Sequence, residues 1–496
     1  SPDTLIEAEF EASHQSQPSQ PGFSLLGNTL PNAKLNDPRI NLNNQPWSQP
    51  VVFDNNNVSL RIQQRLNQDW RAQAHLGVQQ LRTDDRLAFA WGCGYDPITY
   101  ISIYKDRYCP AIGPLEKAEF DLWDYRSENE RRKTTALDLS LTGQFSTGQL
   151  KHDLSTGLLF SRFQSRFQDW AYNYVGTGNV SGAPTTPADP SLGIGNTNND
   201  QHSTELYLRD AVALSAQAKA WAGLRHTRLK RDSMLPDGSE FTSYAKALTT
   251  PWLALSYQLD QEHMVYSSWG EGMESEMTPG QDQYLNKGQA LGPFKSRQTE
   301  LGIKSGTRQL DWSVNWFDIN RPQWTDFGTC DRYAPSDSCE RKLDGTAHHT
   351  GIEAMSDYKW SSGGILASAM WVKAIREGSA NFDGMRPTNV PNWTFKLQAR
   401  QAVSAVPGLM VMAGLVHEAS RMVLEDNSVR IPGWSRLDLS ARFKHNTQLA
   451  QYTWRVGVDN VTDVRAWRES PFQYGHAYLY PLAPRAFRVS VDMRFR

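Results

Sequence analysis

Three stretches near the C-terminus decide the fold of this chain: Trp434–His445 (WSRLDLSARFKH), Leu449–Asp463 (LAQYTWRVGVDNVTD) and Pro484–Arg496 (PRAFRVSVDMRFR). Each stretch alternates apolar with polar residues at a period of two, which is the period of a β-strand. In the first stretch Leu437 and Leu439 lie on one face, and Arg436 and Asp438 lie on the other. Since a water-soluble sheet can alternate in the same way, these three stretches alone do not show whether the sheet lies in water or in a membrane.

The same alternation recurs throughout the chain, and the connections between successive strands alternate between very short turns and very long loops. We count about 18 predicted strands, separated by nine long loops at 14–57, 81–118, 164–202, 231–243, 271–295, 321–345, 377–389, 421–433 and 464–483. Tight turns on one side and long loops on the other are typical of a transmembrane β-barrel. The sequence therefore predicts an all-β protein, a transmembrane antiparallel β-barrel with short periplasmic turns and long extracellular loops.

Composition agrees with a barrel and excludes other classes. The chain has 496 residues and a mean hydropathy of −0.58, and it contains no apolar run long enough for a transmembrane helix. A barrel needs no such run, because only every second residue meets lipid. The formal net charge of −2 gives no basic footprint, so no nucleic-acid partner is expected. Aromatic residues make up 11% of the chain, which suits the interfacial girdles of a barrel.

The alternation also predicts which side chains meet lipid. The apolar positions expected to face lipid are Ile6, Phe10, Leu137, Leu139, Leu253, Leu255, Leu437, Leu439, Val489 and Val491. The polar positions expected to face the lumen are Glu7, Glu9, Asp138, Arg436 and Asp438. Successive carboxylates on one strand could also suggest acid–base chemistry, but a barrel lumen accounts for them more simply.

The four cysteines form two close pairs, Cys93 with Cys109 and Cys330 with Cys339. Neither pair has the spacing of a zinc site, and no histidine accompanies them. Both pairs fall in predicted loops, so we expect two disulfides formed in an oxidising compartment. Four free thiols in loops are the alternative.

Several segments resemble TonB-dependent siderophore receptors. The segments 433–443 (GWSRLDLSARF), 455–467 (RVGVDNVTDVRAW) and 478–495 (YLYPLAPRAFRVSVDMRF) are similar to the closing three strands of that family. The cysteine-bracketed loop at 330–339, followed by Gly351-Ile352-Glu353, resembles the family as well. The resemblance extends over essentially the whole chain and is strongest at the C-terminus.

The resemblance implies a 22-stranded barrel with an N-terminal plug domain, located in the bacterial outer membrane. It also implies uptake of a ferric siderophore, energised by an inner-membrane TonB complex that pulls on a TonB box. We find neither a plug nor a TonB box here, and the first strand looks like the fifth of the family barrel. We therefore interpret residues 1–496 as the barrel domain without its plug and about four strands. The expected partners are the siderophore, the TonB complex through the missing part, and outer-membrane lipid and lipopolysaccharide, with a monomer as the expected state.

Aromatic residues in the long loops are the candidate ligand contacts, since ligand pockets favour aromatic walls. They are Trp91, Tyr95, Tyr100, Tyr104, Tyr108, Trp170, Tyr172, Tyr174, Tyr284, Trp324, Tyr333, Trp467 and Tyr474. The alternative is that these residues form girdles or pack the loops. Because the loops contain no single arginine cluster, we expect a neutral hydroxamate-type chelate rather than ferric citrate.

No catalytic constellation or resident cofactor is predicted. His348 and His349 are adjacent on a strand, so they point to opposite faces and cannot share one metal ion. Iron is expected to arrive inside the siderophore and not to bind the protein directly. A passive 18-stranded porin is the alternative function, although we identify neither a constriction loop nor charge rings. A barrel enzyme would need a His–Ser or acid pair at the rim, and we find none.

Overall fold

The computed structural model describes residues 3–99, 101–110, 118–182, 184–193, 195–239, 241–279, 283–330, 339–473 and 475–495. Nearly all of the regular structure is β, apart from a short 3-10 helix at Ala33–Leu35. The strands are β1 (Thr4–Gln17), β2 (Val51–Arg65), β3 (Trp70–Ala90), β4 (Glu119–Thr147), β5 (Leu150–Arg166), β6 (Ala171–Asn179), β7 (Asn198–Ala213), β8 (Ala218–Met234), β9 (Thr242–Gln258), β10 (His263–Met277), β11 (Ala290–Gly306), β12 (Leu310–Phe327), β13 (Glu340–Trp360), β14 (Gly363–Glu377), β15 (Trp393–Ala402), β16 (Leu409–Glu418), β17 (Arg421–Met422), β18 (Arg430–Ile431), β19 (Trp434–Asn446), β20 (Ala450–Asp459), β21 (Trp467–Glu469), β22 (Phe472–Gln473), β23 (His476–Ala477), β24 (Tyr480–Pro481) and β25 (Ala486–Phe495).

Eighteen of these strands form one antiparallel wall in chain order, from β1 and β2 round to β20 and β25. The strand β6 belongs to the same sheet but pairs only with β4, above the point where β5 ends. Three further pairs, β17–β18, β21–β24 and β22–β23, lie within the long loops. The predicted fold class and the number of wall strands are therefore confirmed.

Several strands are longer than the sequence predicted, and their extra length is on the loop side. The strands β3 and β13 have 21 residues each. A transmembrane strand needs only about 9–11 residues. Segments predicted as loop therefore continue as strand above the membrane: β3 runs on to Ala90, and β12 runs on to Phe327. On the other side the turns are tight, and Gly148 between β4 and β5 has a φ of 62°, which side chains other than glycine rarely adopt.

One face of the wall is apolar and exposed. Directly paired residues lie on the same face of a sheet, and the pairs Ile6↔Ile62 and Leu76↔Leu137 are both apolar. Phe10 is 71% exposed on this face. Exposure on this scale suits contact with lipid. The residues between them on each strand, such as Glu7 and Asp138, lie on the opposite, lumen-facing side.

No helix in the described ranges is both long enough and apolar enough to span a membrane.

The long loops share a hydrophobic core of their own. It includes Phe23 and Leu42 from the β1–β2 loop, Tyr108 before β4, and Trp467 and Leu479 between β20 and β25. All five side chains are at most 3% exposed. Loops that bury this much apolar surface against one another are held in place rather than free to move independently.

Both predicted disulfides are present. Cys93 is bonded to Cys109, and Cys330 is bonded to Cys339. The first disulfide links two points of the loop between β3 and β4, and the second lies in the connection between β12 and β13.

The wall has two edges in the described part of the chain. There β1 pairs only with β2, and β25 pairs only with β20. Thr4 lies on the short-turn side, opposite Gln64, and Phe495 also lies on that side, opposite Ala450.

Candidate ligand-binding site

A three-stranded extension of the wall carries the candidate site. Beyond the end of β5, the upper part of β4 pairs with β3 on one side and with β6 on the other. A bulge between Thr83 and Asp85 marks where the extension begins on β3. Its alternate residues Ala88, Ala90, Phe120 and Leu122 are buried in the core of the loops. The residues on the other face of the extension therefore point away from this core.

That face carries a group of eight rings, which we call the aromatic cluster: Phe89, Trp91, Tyr95, Trp123, Tyr125, Trp170, Tyr172 and Tyr174. Trp123 lies at its centre and is only 1% exposed. Its ring stacks on Tyr172 at 4.7 Å and lies 5.0 Å from Tyr95. Tyr95 in turn lies 4.8 Å from Tyr174. Offset and tilted contacts at these distances are favourable between aromatic rings.

Asp121 fixes the position of Tyr95. The backbone N–H groups of Gly94 and Tyr95 each donate to the Asp121 carboxylate at 3.0 Å. The Cys93–Cys109 disulfide precedes this turn directly. Gly94 has a φ of 73°, and a Cβ there would lie 2.7 Å from the Ile103 side chain, so a larger residue would be strained at this position. The rim of the cluster is therefore held by a disulfide and by two hydrogen bonds to a buried carboxylate.

The seven members other than Trp123 are neither fully buried nor fully exposed. Five of them, Trp91, Tyr95, Trp170, Tyr172 and Tyr174, are among the residues predicted from the sequence. The structure thus brings into one surface five side chains that are spread over 84 positions of the sequence. A partly open, rigid aromatic surface can bind a bulky organic chelate by stacking and dispersion contacts.

Tyr284 and Trp324 form a second group around Arg341. The Arg341 guanidinium lies 3.9 Å from the Trp324 ring centroid and donates to Asp326 at 2.7 Å and to Glu276 at 3.1 Å. The Tyr284 hydroxyl donates to Asp326 at 2.8 Å. Burial, followed by this hydrogen bond, raises the pKa of Tyr284 to about 12. Trp324 is 39% exposed over the buried arginine, so it too offers a ring to a ligand.

The remaining predicted residues have other positions. Trp467 is 2% exposed in the core of the loops, where its indole N–H donates to the Pro31 carbonyl at 2.7 Å. Tyr108 is likewise buried and donates to the Gly22 carbonyl at 3.0 Å. The backbone of Tyr104 pairs with that of Cys93. Tyr100, Tyr333 and Tyr474 lie outside the described residues.

Sequence reasoning missed Phe89, Trp123, Tyr125 and Arg341. Trp123 and Tyr125 lie within a predicted strand, whereas the sequence points to ligand contacts only in the long loops. A signal is present in the sequence, because the stretch 119–145, predicted as one strand, is much longer than a membrane crossing requires. Arg341 follows directly after the second cysteine pair and gave no comparable signal.

In the described ranges, no group of three or more His, Cys, Asp and Glu side chains could hold a metal ion. His348 instead bonds two carboxylates, Asp318 at 2.7 Å and Glu377 at 2.9 Å.

His476 in the β22–β23 loop pair gives the loops a pH dependence. It is fully buried between Trp91 at 6.1 Å, Tyr108 at 5.7 Å and Tyr478 at 4.7 Å. Burial lowers the pKa of His476 to about 3, with Asp106 opposing this shift and Arg107 reinforcing it. The stability contributed by the neutral ring is complete above the unfolded pKa of about 6.5 and is lost as the pH falls.

We expect the loop core to lose about 2 kcal/mol of local stability between pH 7.5 and pH 5.0. Hydrogen exchange of the segments around 105–109 and 472–480, corrected for the intrinsic rate, measures this loss. The variant His476→Gln should be less stable at pH 7.5 but nearly independent of pH. Equal pH dependence in both proteins would show that another group is responsible.

A large antiparallel barrel with long extracellular loops and an aromatic surface above the membrane has the architecture of an outer-membrane receptor or transporter. The family model described as "TonB dependent receptor-like, beta-barrel" matches residues 1–461. The chain therefore belongs to the TonB-dependent receptor family and forms the β-barrel of an outer-membrane protein. The family is one of receptors and transporters.

Three curated relatives share about a quarter of their aligned residues with this chain. The ferrichrome receptor FcuA of Yersinia enterocolitica is 24% identical over 374 residues, which are 72% of this chain and 47% of that receptor. The ferrioxamine receptor of Yersinia enterocolitica is 22% identical over 75% of this chain and 52% of its own length. The ferrichrome outer membrane transporter/phage receptor of Escherichia coli K12 is 24% identical over 50% of this chain and 33% of its own. The chain thus spans about half the length of the two Yersinia receptors and a third of the length of the Escherichia coli transporter.

Solved structures agree in fold. The chain superimposes on BauA, the ferric preacinetobactin receptor of Acinetobacter baumannii, with a TM-score of 0.77 at 17% identity, covering 99% of this chain and 70% of BauA. It superimposes on the unliganded ferric citrate transporter FecA with a TM-score of 0.73 at 14% identity, covering 99% of this chain and 68% of FecA.

Proposed function

We propose that the complete protein is an outer-membrane receptor that takes up a ferric siderophore, energised by the TonB complex. The observation that supports this most directly is the aromatic cluster, a rigid and partly open surface at the extracellular mouth of a barrel of the TonB-dependent receptor family. Binding and gated passage need no bond chemistry in the protein, so we propose a transporter and not an enzyme. Iron enters as part of the chelate and is substrate, not cofactor.

We propose further that the complete barrel contains additional strands between β25 and β1, and a plug. The two sheet edges support this, since each would otherwise leave a row of backbone hydrogen-bonding groups without a strand partner. Thr4 of β1 and Phe495 of β25 both lie on the short-turn side of the wall. An even number of added strands would therefore keep every neighbouring pair antiparallel. Four would give the 22 strands implied by the resemblance. A barrel this wide is not filled by its own side chains.

The ligand class we propose is a neutral chelate of the hydroxamate type. In the sequence the arginines of the extracellular loops are dispersed and form no single cluster of the kind that a strongly anionic chelate such as ferric citrate would need. Stacking on aromatic rings suits a bulky ligand of low charge. Ferrichrome and ferrioxamine, the ligands named for the relatives, are the first compounds to test.

The experiment uses iron-starved cells that lack other receptors and express the full-length protein. Growth on a ferric chelate should depend on TonB, and the double variant Tyr95→Ala/Tyr172→Ala should bind the chelate at least ~10-fold more weakly, because each lost stacking contact is worth roughly 1 kcal/mol. The matched control is Tyr257→Ala/Tyr358→Ala, which removes two exposed tyrosines of the wall outside the aromatic cluster. Flux of small solutes through the intact protein without TonB, and without any chelate requirement, would favour the porin instead.

A further inference from the structure

Three rings at the membrane end of the aromatic cluster form a small cage. The rings of Tyr125 and Trp170 are perpendicular, and their centroids lie 5.4 Å apart. Tyr172 completes the group, because its ring lies 6.3 Å from each of the other two. All three side chains are partly exposed. We call these three rings the lower cage.

The strand register places a carboxylate next to the lower cage. Asp85, Leu87 and Phe89 are alternate residues of β3, so their side chains point to the same face as the aromatic cluster. Leu87 pairs with Tyr125, and Asp85 pairs with Ser127. Asp85 therefore lies on the face of the cluster, about 7 Å along the strand from the level of Tyr125.

The negative charge of Asp85 is not compensated within the protein. Its Oδ1 atom is buried and accepts no hydrogen bond from any described residue, and Asp85 forms no ion pair in the same ranges. The neighbouring Glu130, in contrast, is paired with Arg132 at 2.7 Å. Burial, followed by repulsion from Glu130, raises the pKa of Asp85 to about 6, so the group is ionised at pH 7.5. A buried carboxylate oxygen without a partner is costly, and a cation beside it is stabilised.

The basic residues of the three-stranded extension lie on its other face. Its three strands contain two basic residues in the sequence, Arg86 and Arg126. The two arginines pair with each other across β3 and β4, at the positions that alternate with those of the cluster. There Arg86 is bonded to Glu128 at 2.9 Å, and Arg126 is bonded to Asp124 at 2.9 Å. The strands of the extension therefore place a carboxylate, and no basic side chain, on the face that carries the rings.

We propose that the ferric chelate carries a protonated amine, and that the lower cage and Asp85 bind this amine. An ammonium group within about 6 Å of a ring centroid is attracted to the face of a tyrosine or tryptophan ring, most strongly where water is excluded. Asp85 supplies the opposite charge on the same face. The inference rests on the proposed function and narrows its ligand class. The iron centre of a trihydroxamate is neutral, so such a chelate has a single positive charge.

Other end groups use the site less well. An uncharged end, such as an amide or a methyl group, leaves the charge of Asp85 uncompensated. A carboxylate end is repelled by Asp85 and by the negative faces of the rings. A cation is the end group that both the rings and the carboxylate favour.

The test compares two probes that differ only at the amine. The probes are the ferric complex of a linear trihydroxamate that ends in a primary amine, and the same complex after acetylation of that amine. Isothermal titration of the purified full-length receptor in detergent at pH 7.5 measures both affinities. The amine probe should bind at least ~10-fold more tightly, since a desolvated contact between a cation and a ring alone is worth roughly this factor.

The variant Asp85→Asn removes the charge and keeps the shape of the side chain. It should bind the amine probe about 5–10-fold more weakly than the wild type, in the range of one charged contact. It should bind the acetylated probe within about twofold of the wild type, which also shows that the site is folded. The matched control is Asp153→Asn, which removes a lumen-facing carboxylate near the short turn between β4 and β5, where Asp153 is paired with Lys219 at 3.2 Å. The control should keep the wild-type ratio of the two affinities.

The outcomes separate this inference from the proposed function. Equal binding of the two probes by the wild type would overturn the inference, while binding of a ferric hydroxamate would still support the receptor. Binding of neither probe would overturn the inference and the proposed ligand class together. An equal loss of both probes in Asp85→Asn would show that Asp85 only supports the fold, and the proposed contact with the amine would then be wrong.

Discussion

Replacing Trp123 with alanine is expected to destabilise the three-stranded extension by about 3–5 kcal/mol, the usual loss for removing a buried tryptophan side chain. Trp123 is 1% exposed and contacts Trp91, Tyr95, Tyr172 and Tyr174. Its indole N–H also donates to the Trp91 carbonyl at 3.1 Å. Removing it takes away the common support of the rings around it.

Two measurements follow the loss. Hydrogen exchange of 85–90, 119–126 and 171–179 in the full-length protein should speed up, while exchange of the wall near the short turns should not change. Affinity for the ferric chelate should fall at least ~100-fold, because binding would have to restore the order of the cluster.

The matched control is Trp454→Ala, which removes a tryptophan that is 42% exposed on the apolar face of β20. It should leave chelate affinity and exchange in the extension unchanged. If Trp123→Ala bound the chelate like the wild type while the extension exchanged faster, the aromatic cluster would be structural and the ligand site would lie elsewhere.

The wall of the barrel could be predicted from the sequence because its signal is local. Each strand such as β19 or β25 carries its own period-two pattern, and each short turn marks where the chain reverses. The count of 18 wall strands depends only on these local features. The predicted disulfides are similar, since each joins cysteines 16 or 9 positions apart.

The upper ends of the strands could not be predicted because the alternation stops there. A bulge on β4, where Glu128 and Asn129 lie opposite the single residue Asp84 of β3, shifts the register between the two strands, and Asn129 has a φ of 52°. Beyond it Leu87, Ala88 and Ala90 are all buried, so both faces of the strand are covered. A strand that is buried on both faces does not alternate, and it cannot be distinguished from a loop by its period.

The candidate site was only partly predictable for a different reason. Aromatic residues in loops suggested Tyr95 and Tyr172, but the residue between them in space, Trp123, comes from a strand. Arg341 is held by Asp326 and by Glu276, which lies 65 positions away in the sequence. Contacts of this kind depend on which strands are neighbours at the mouth, and no pattern within one segment records them.

Placing arginine at Leu439 is expected to destabilise the barrel by about 2–4 kcal/mol, the loss for this charge at a lipid-facing site near the middle of the membrane. Leu439 lies in the middle of β19 and is 44% exposed on the apolar face, between Ala413 and Val458. The adjacent substitution Ser440→Arg is the control, because Ser440 lies on the lumen-facing side, where water can solvate the charge.

Urea unfolding of the full-length protein in lipid vesicles, followed by heat-modifiable gel mobility, measures both variants. Leu439→Arg should unfold at lower urea than the wild type, and Ser440→Arg should lose less than about 1 kcal/mol. Equal losses in both variants would show that the two faces of β19 do not divide lipid from lumen, and the orientation of this strand would then be wrong, since a one-residue shift in register exchanges every side chain between the faces.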